Sequence, residues 1–220
     1  MQNRDKTTAH KIQWRLIAQS GVRYFEWYDK GIRMFYSIRG SEQDFLKKFE
    51  PRFLKQVHSD TIVNADDLTI VTGDGLVAQT AERMLGIKVA DCLPVYLYNE
   101  TKICIIHCGW RSIIKGITKK AAEVMGDYEY VLGASIGACC YEIKKDVAEP
   151  FRQSYGNALV MRNERMFLDL KGAVIEDLGY ERLRGVLDYC TKCESRFFYS
   201  HRRGDKKMRN FATLVREAHT

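Results

Sequence analysis

The stretch VADCLPVYLYNETKICIIHCGWRSIIKGI, residues 89–117, decides the fold. PVYLY and KICIIH are short apolar runs separated by polar residues, the pattern of two buried neighbouring strands. Each strand end carries a residue that burial does not explain: Cys92 before the first run and His107 closing the second. Leu93 precedes a proline, which holds it extended and keeps the ADC segment out of a helix. Beyond the second run, Ser112 to Gly126 has apolar residues at 113, 114, 117, 121, 124 and 125, one helical face ended by a glycine.

The flanking sequence extends this picture. VRYFEWY (22–28) and IRMFYSI (32–38) form a hairpin around DKG, and SEQDFLKKF begins a helix at Ser41 with acids in its first turn and lysines in its last. FLKQVH, TIVNA, LTIV, GLVAQ, KVADC and YEYVLGASIG read as further strands, and RFFYSH and NFATLVR close the chain as strands. Residues 144–154 and 170–178 are helix candidates, with Pro150 expected to break or kink the first. Many strands mixed with irregularly placed helices give an α+β class, with helices covering a mixed sheet, in one domain spanning 1–220.

Composition narrows the function classes. There are three prolines, no low-complexity tract and no fixed-period repeat. The polar start MQNRDKTTAHK and the lack of an 18-residue apolar window predict a cytoplasmic protein with no membrane partner. Seven cysteines are an odd count, several within apolar strands, which fits reduced thiols better than a disulfide framework. The net charge of +7 is scattered, with HRR and KKMR near the C-terminus as its one dense cluster, so no nucleic-acid partner is expected.

The chemistry centres on Cys92, His107 and a third candidate, His58 of KQVHSD, which ends a strand candidate before two turn-forming residues. Two imidazoles and a thiolate suit borderline zinc, and three protein ligands leave a fourth position for water or substrate. By residue type alone the trio competes with a plainer reading, in which Cys92 is a small core hydrophobe and each histidine a satisfied polar residue. CTKC (190–193) lacks a second pair and reads as incidental, and Cys139-Cys140 reads as core.

QVHSD, GDGLVAQT, ADCLPV, IIHCGWRS with KGI, IGACCYEI and FFYSHRR, in this order over about residues 54–215, resemble the signature blocks of the YfiH-like laccase-domain family. Its members are also called multicopper polyphenol oxidases or purine nucleoside phosphorylases. The resemblance implies that His58, Cys92 and His107 are Zn2+ ligands at the catalytic centre. It also implies phosphorolysis of adenosine, inosine, guanosine and methylthioadenosine, and deamination of adenosine. The expected partners are then a small-molecule purine nucleoside and phosphate, for a monomer or small homo-oligomer. The implied fold is an α/β/β/α sandwich related to the toxin-type cysteine hydrolase fold. Arg39, Arg111 and Arg202 are assigned to phosphate or substrate because guanidinium presents planar forked donors, and Gln56 and Asp91 flank the ligands and orient them or touch substrate. The chain departs from the family pattern at Cys108, at Ser112, in GASIGACC, after Gly40 and at Met208-Arg209-Asn210.

Three other readings use the same residues. A copper polyphenol oxidase needs more imidazoles than the five at 10, 58, 107, 201 and 219. A Cys92–His107 amide hydrolase acting on a peptidoglycan precursor needs no metal. A binding or redox module would use zinc or the CxxC thiols for structure alone.

Overall fold

Alternation along two central strands builds the molecule. The computed structural model describes residues 13–67, 69–79 and 83–218; the polar N-terminal segment lies outside them. The strands are β1 (Arg15–Gln19), β2 (Val22–Asp29), β3 (Ile32–Ser37), β4 (Ile62–Asn64), β5 (Gly75–Ala78), β6 (Leu85–Val89), β7 (Leu93–Tyr98), β8 (Ile103–Cys108), β9 (Glu129–Leu132), β10 (Glu142–Ile143), β11 (Leu159–Arg162), β12 (Arg165–Leu168), β13 (Leu183–Val186) and β14 (Asn210–Arg216). The helices are α1 (Glu42–Phe49), α2 (Trp110–Ile114), α3 (Ile117–Met125), α4 (Lys145–Ser154) and α5 (Leu170–Leu178).

Every residue of β7 and β8 is buried, which is why both read as unbroken apolar runs rather than as alternating ones. Their two faces nonetheless differ. Leu93, Val95 and Leu97 of β7 and Cys104, Ile106 and Cys108 of β8 pack with Ile113, Ile117, Ala121 and Val174 of the helices. Tyr96, Tyr98, Ile103 and Ile105 face Trp27, Met34, Tyr36, Ile87 and Leu214 of a second sheet. Each large apolar side chain so buried is worth about 1.5–3 kcal/mol, which makes this central pair the least negotiable part of the fold.

The sheet containing β7 and β8 runs β13-β9-β7-β8-β5-β4, antiparallel except for the parallel β13–β9 and β4–β5 pairs. The second runs β1-β2-β3-β14-β6, all antiparallel, and a small sheet runs β10-β12-β11. On the outer face of the second sheet, Phe45 of α1 packs with Val22, Tyr24, Phe35 and Phe211. The order of layers is therefore helix, sheet, sheet, helices, the expected helix-covered sandwich. Among the described residues, no helix is long and apolar enough to cross a membrane.

Several expected elements differ. The 112–126 helix is two helices, α2 and α3, separated at Gly116, whose φ of +91° ends one and starts the other. Pro150 does not end α4, which runs on to Ser154. The proline forfeits one amide bond, while Ala148 and Phe151 on either side of it are buried in the core. FLKQVH and the described part of LTIV are not strands but irregular chain with isolated bridges at Arg52–Leu85 and Lys55–Thr72. RFFYSH is a turn leading to a short 3-10 segment at His201–Arg203. Its Phe197 and Phe198 are held by rings instead of a ladder, packing with Phe25 and Tyr189.

Candidate metal centre and substrate cavity

His107 is the next-to-last residue of β8, and the alternation places it on the inter-sheet face with Ile103 and Ile105. It is buried, 3% exposed. Beside it lies Asp74, just before β5, which pairs with β8 through Gly75 and Ile106. The His107 amide donates to the Asp74 carbonyl at 2.7 Å, and His107 Nδ1 meets Asp74 Oδ1 at 2.9 Å. The carboxylate thus fixes Nδ1 as the donor and leaves Nε2 as a free ligand atom.

Asp74 also builds the loop that delivers His58. The amides of Val57, His58 and Ser59 and the Ser59 hydroxyl all donate to its carboxylate, at 3.1, 3.0, 2.6 and 2.8 Å. Three successive amides can converge on one carboxylate because His58 takes a left-handed conformation, φ +57°. The Lys115 ammonium closes the loop from outside by donating to the His58 carbonyl at 2.9 Å. Burial opposes the charge on Asp74, but the bonds from His107, Ser59 and Val57 hold its carboxyl far below the usual aspartate range.

Cys92 lies in the bend between β6 and β7, not within a strand, one residue after Asp91, which turns the chain at φ +90°. Its Sγ is 3.9 Å from His58 Nε2, and the two imidazole centroids are 4.9 Å apart. The ligand atoms of His58, Cys92 and His107 lie within 4.8 Å of one another. Gly109 makes this convergence possible: a Cβ there would stand 2.8 Å from His58 Cδ2 and 3.1 Å from Cys92 Sγ. Burial pushes the Cys92 thiol up, yet His107 and His58 bring it down to about 6. Burial pulls His107 down, yet Cys92 and Asp74 raise it to about 9. Both shifts run toward a charged sulfur beside His107, so a cation arriving at this site meets a thiol readied for ligation.

The trio opens onto a cavity of about 590 Å3. Of the residues assigned to substrate from sequence, Gln56, Asp91, Arg111 and Arg202 line it and Arg39 does not. Arg39 pairs with Asp205 at 3.5 Å and lies over the Tyr199 ring. Gln56 makes two bonds to the backbone of Lys88, at 2.9 and 2.8 Å, and so fixes the wall rather than reaching inward. Asp91 is likewise saturated, accepting from the Thr191 hydroxyl and the Arg202 amide, both at 2.7 Å. Arg111 lies over Trp110 and Arg202 over Tyr141, each guanidinium supported by a ring.

Sequence reasoning missed Asp74 as the orienting group, although GDGLVAQT contains it, and missed the cavity cations Lys55, Lys88 and Arg209. Lys55 lies one residue from Gln56, and Arg209 belongs to the one dense basic cluster, the signals that could have found them. The cysteines also need correction. Cys139 and Cys140 are not core, being exposed and half-buried, and CTKC does have a partner pair: the sulfurs of Cys139, Cys140, Cys190 and Cys193 form a second convergent group.

The chain is similar to several known proteins. A purine nucleoside phosphorylase from Clostridium acetobutylicum is 28% identical over 192 residues, 80% of each chain. An adenosine deaminase, RL5, from an unknown prokaryotic organism is 28% identical over 163 residues, 66% of this chain and 62% of that one. The crystal structure of the hypothetical protein YfiH from Bacillus licheniformis superposes with a TM-score of 0.81 at 21% identity, covering 93% of this chain and 99% of the other. The sequence profile of the family described as multi-copper polyphenol oxidoreductase laccase matches residues 41–217. With that profile spanning most of its length and its fold shared with YfiH, the chain belongs to this YfiH-like laccase-domain family.

Proposed function

We propose that the protein is a zinc-dependent purine nucleoside phosphorylase that also deaminates adenosine. The observation that carries this reading is the juxtaposition of a two-imidazole, one-thiolate donor set with a cavity ringed by Lys55, Lys88, Arg111, Arg202 and Arg209. The relatives named phosphorylase and deaminase support it.

The donor set fits zinc on its chemistry: a thiol lowered to about 6, an imidazole whose far nitrogen is tied to a carboxylate, and a glycine where any side chain would intrude. His58, Cys92 and His107 would hold the ion. Zinc supplies Lewis acidity, which lets a water or a substrate atom give up a proton near neutral pH.

The other residues do the binding and positioning. In phosphorolysis, a phosphate oxygen forms a bond to ribose C1′ as the C1′–N9 bond breaks, and the purine leaves with a proton. The attacking dianion needs cations, and the five around the cavity supply them, with Arg111 and Arg202 pre-oriented by their rings. Leu54, Ile136, Trp110 and Tyr141 give the apolar surface a purine requires. In deamination, water adds at C6 and ammonia leaves; the same cavity serves without phosphate.

The test is to incubate the purified protein with adenosine, with and without phosphate, and separate the products by chromatography. Adenine and ribose 1-phosphate formed only with phosphate, and inosine formed in either case, are expected. Adenosine left intact in both conditions would contradict the reading.

A further inference from the structure

The CTKC turn and the Cys139-Cys140 dipeptide, about fifty residues apart in sequence, come together at one place. The isolated bridge between Ser135 and Cys190 aligns the two segments, and the Thr191 amide donates to the Ser135 carbonyl at 3.0 Å. The four sulfurs lie within 4.8 Å of one another. Cys193 Sγ is 3.8 Å from Cys139 Sγ and 3.4 Å from Cys140 Sγ. A tetrahedral zinc with Zn–S bonds of about 2.3 Å has sulfur–sulfur edges of about 3.8 Å; the Cys139–Cys193 separation equals such an edge, the Cys140–Cys193 one is slightly shorter, and the group as a whole is compact enough for small side-chain adjustments to close a tetrathiolate shell.

The surroundings are also those of ligating sulfurs. The Gly137 amide donates to Cys190 Sγ at 3.3 Å. A Cβ on Gly137 would come within 3.2 Å of Cys139 Sγ, so the absence of a side chain there lets the sulfur in. The carbonyls around the group are held by guanidinium donors: Arg162 to Cys139, and Arg203 to Thr191 and Lys192. Those cations offset the negative charge that four thiolates and one divalent ion leave behind.

We propose that Cys139, Cys140, Cys190 and Cys193 bind one zinc ion in a closed, structural site separate from the His58–Cys92–His107 centre. All four ligands come from the protein, so no position is left for substrate, the arrangement of a structural rather than a catalytic site. Its role follows from what the two segments carry. The first holds Ile136 and Tyr141, which line the cavity, and the second holds Thr191, whose hydroxyl bonds Asp91 next to Cys92. The ion would staple one wall of the cavity to the turn that presents the catalytic thiol.

The experiment is metal analysis of the purified parent and of the Cys190→Ser/Cys193→Ser, Cys92→Ala and combined variants. Roughly two zinc ions per chain are expected in the parent, one in each of the first two and none in the combination. The readout is the one-ion difference caused by the paired serine changes, whatever the state of the other centre. If Cys92→Ala alone leaves zinc unchanged, the catalytic assignment fails while this one stands. The Cys190→Ser/Cys193→Ser variant should also melt roughly 5–10 °C below the parent.

Should that variant not fold, the Cys92→Ala protein, with all four of these cysteines intact, still answers. Titration of it with an organic mercurial while released zinc is followed by a chromogenic chelator should free one ion as four thiols react, and cobalt replacement in it should give the intense charge-transfer bands of a tetrathiolate. Equal zinc in parent and Cys190→Ser/Cys193→Ser variant would overturn the proposal. So would a disulfide joining Cys193 to Cys139 or Cys140 in the purified protein, or iron in place of zinc at the four sulfurs.

Discussion

Asp74 does more than any metal ligand to define the centre, because it sets both histidines at once: the ring of His107 through Nδ1 and the loop of His58 through three amides. In Asp74→Asn, the amide NH2 would be turned against groups that are all donors, leaving buried N–H groups unpaired. We expect zinc affinity at His58–Cys92–His107 to fall roughly 10–100-fold, with a stability loss of about 3 kcal/mol, measured by competition with a chelator and by urea unfolding. The pH dependence has a definite sign. The folded carboxyl is held below its ordinary 3.8, so its contribution is present in full above that value and is lost as pH falls through and below it. Unfolding of the parent should therefore steepen below about pH 4, and the Asp74→Asn variant should lack that component. Gly109 supplies a complementary case, since the three atoms nearest to an added Cβ all belong to His58 and Cys92. Gly109→Ala should lose this zinc while the metal-free protein melts with the parent; unchanged zinc content would show that the ring and the sulfur can both yield.

At the level of elements, the centre depends on β7 and β8 being antiparallel neighbours with Leu93 opposite Cys108 and Pro94 opposite His107. That the two runs are neighbouring strands was legible in sequence, because apolar runs joined by a short polar turn leave few alternatives; their register is set by the structure. The helix after them was not legible. The apolar spacing from Ile113 to Met125 satisfies one continuous face, and only the positive φ of Gly116 separates α2 from α3. Gly116→Ala has free space for its methyl group but the wrong backbone, so we expect a loss of about 1 kcal/mol with zinc content unchanged. A loss of metal instead would mean that α2 positions the ligands through this break. RFFYSH misled for a related reason. Aromatic residues favour strands because they pack well, and Phe197 and Phe198 pack as well from a turn, against the ring of Phe25. The paired cysteines were invisible for another reason: a bridge between Ser135 and Cys190 that no local pattern announces brings them together.

For the whole molecule, the sandwich places the strand ends of one sheet, the bend after β6 and the His58 loop around a single basic cavity. The α+β class with helices over a mixed sheet could be read from the apolar patterns of its segments, whereas the two-sheet sandwich followed from the resemblance of its sequence blocks to the family. The cavity could not: its cations come from positions 55, 88, 111, 202 and 209, and their convergence depends on long-range packing. The central claim is that Cys92 acts as a metal ligand in a nucleoside-cleaving enzyme rather than as a nucleophile. Its most direct test is zinc content together with adenosine phosphorolysis and deamination in Cys92→Ala and His107→Ala. Parallel loss of one zinc and at least a roughly hundredfold fall in both activities is expected in each variant. A Cys92→Ala protein that retains its full zinc and its nucleoside turnover, or a parent that loses only amide hydrolysis with that change, would contradict the account.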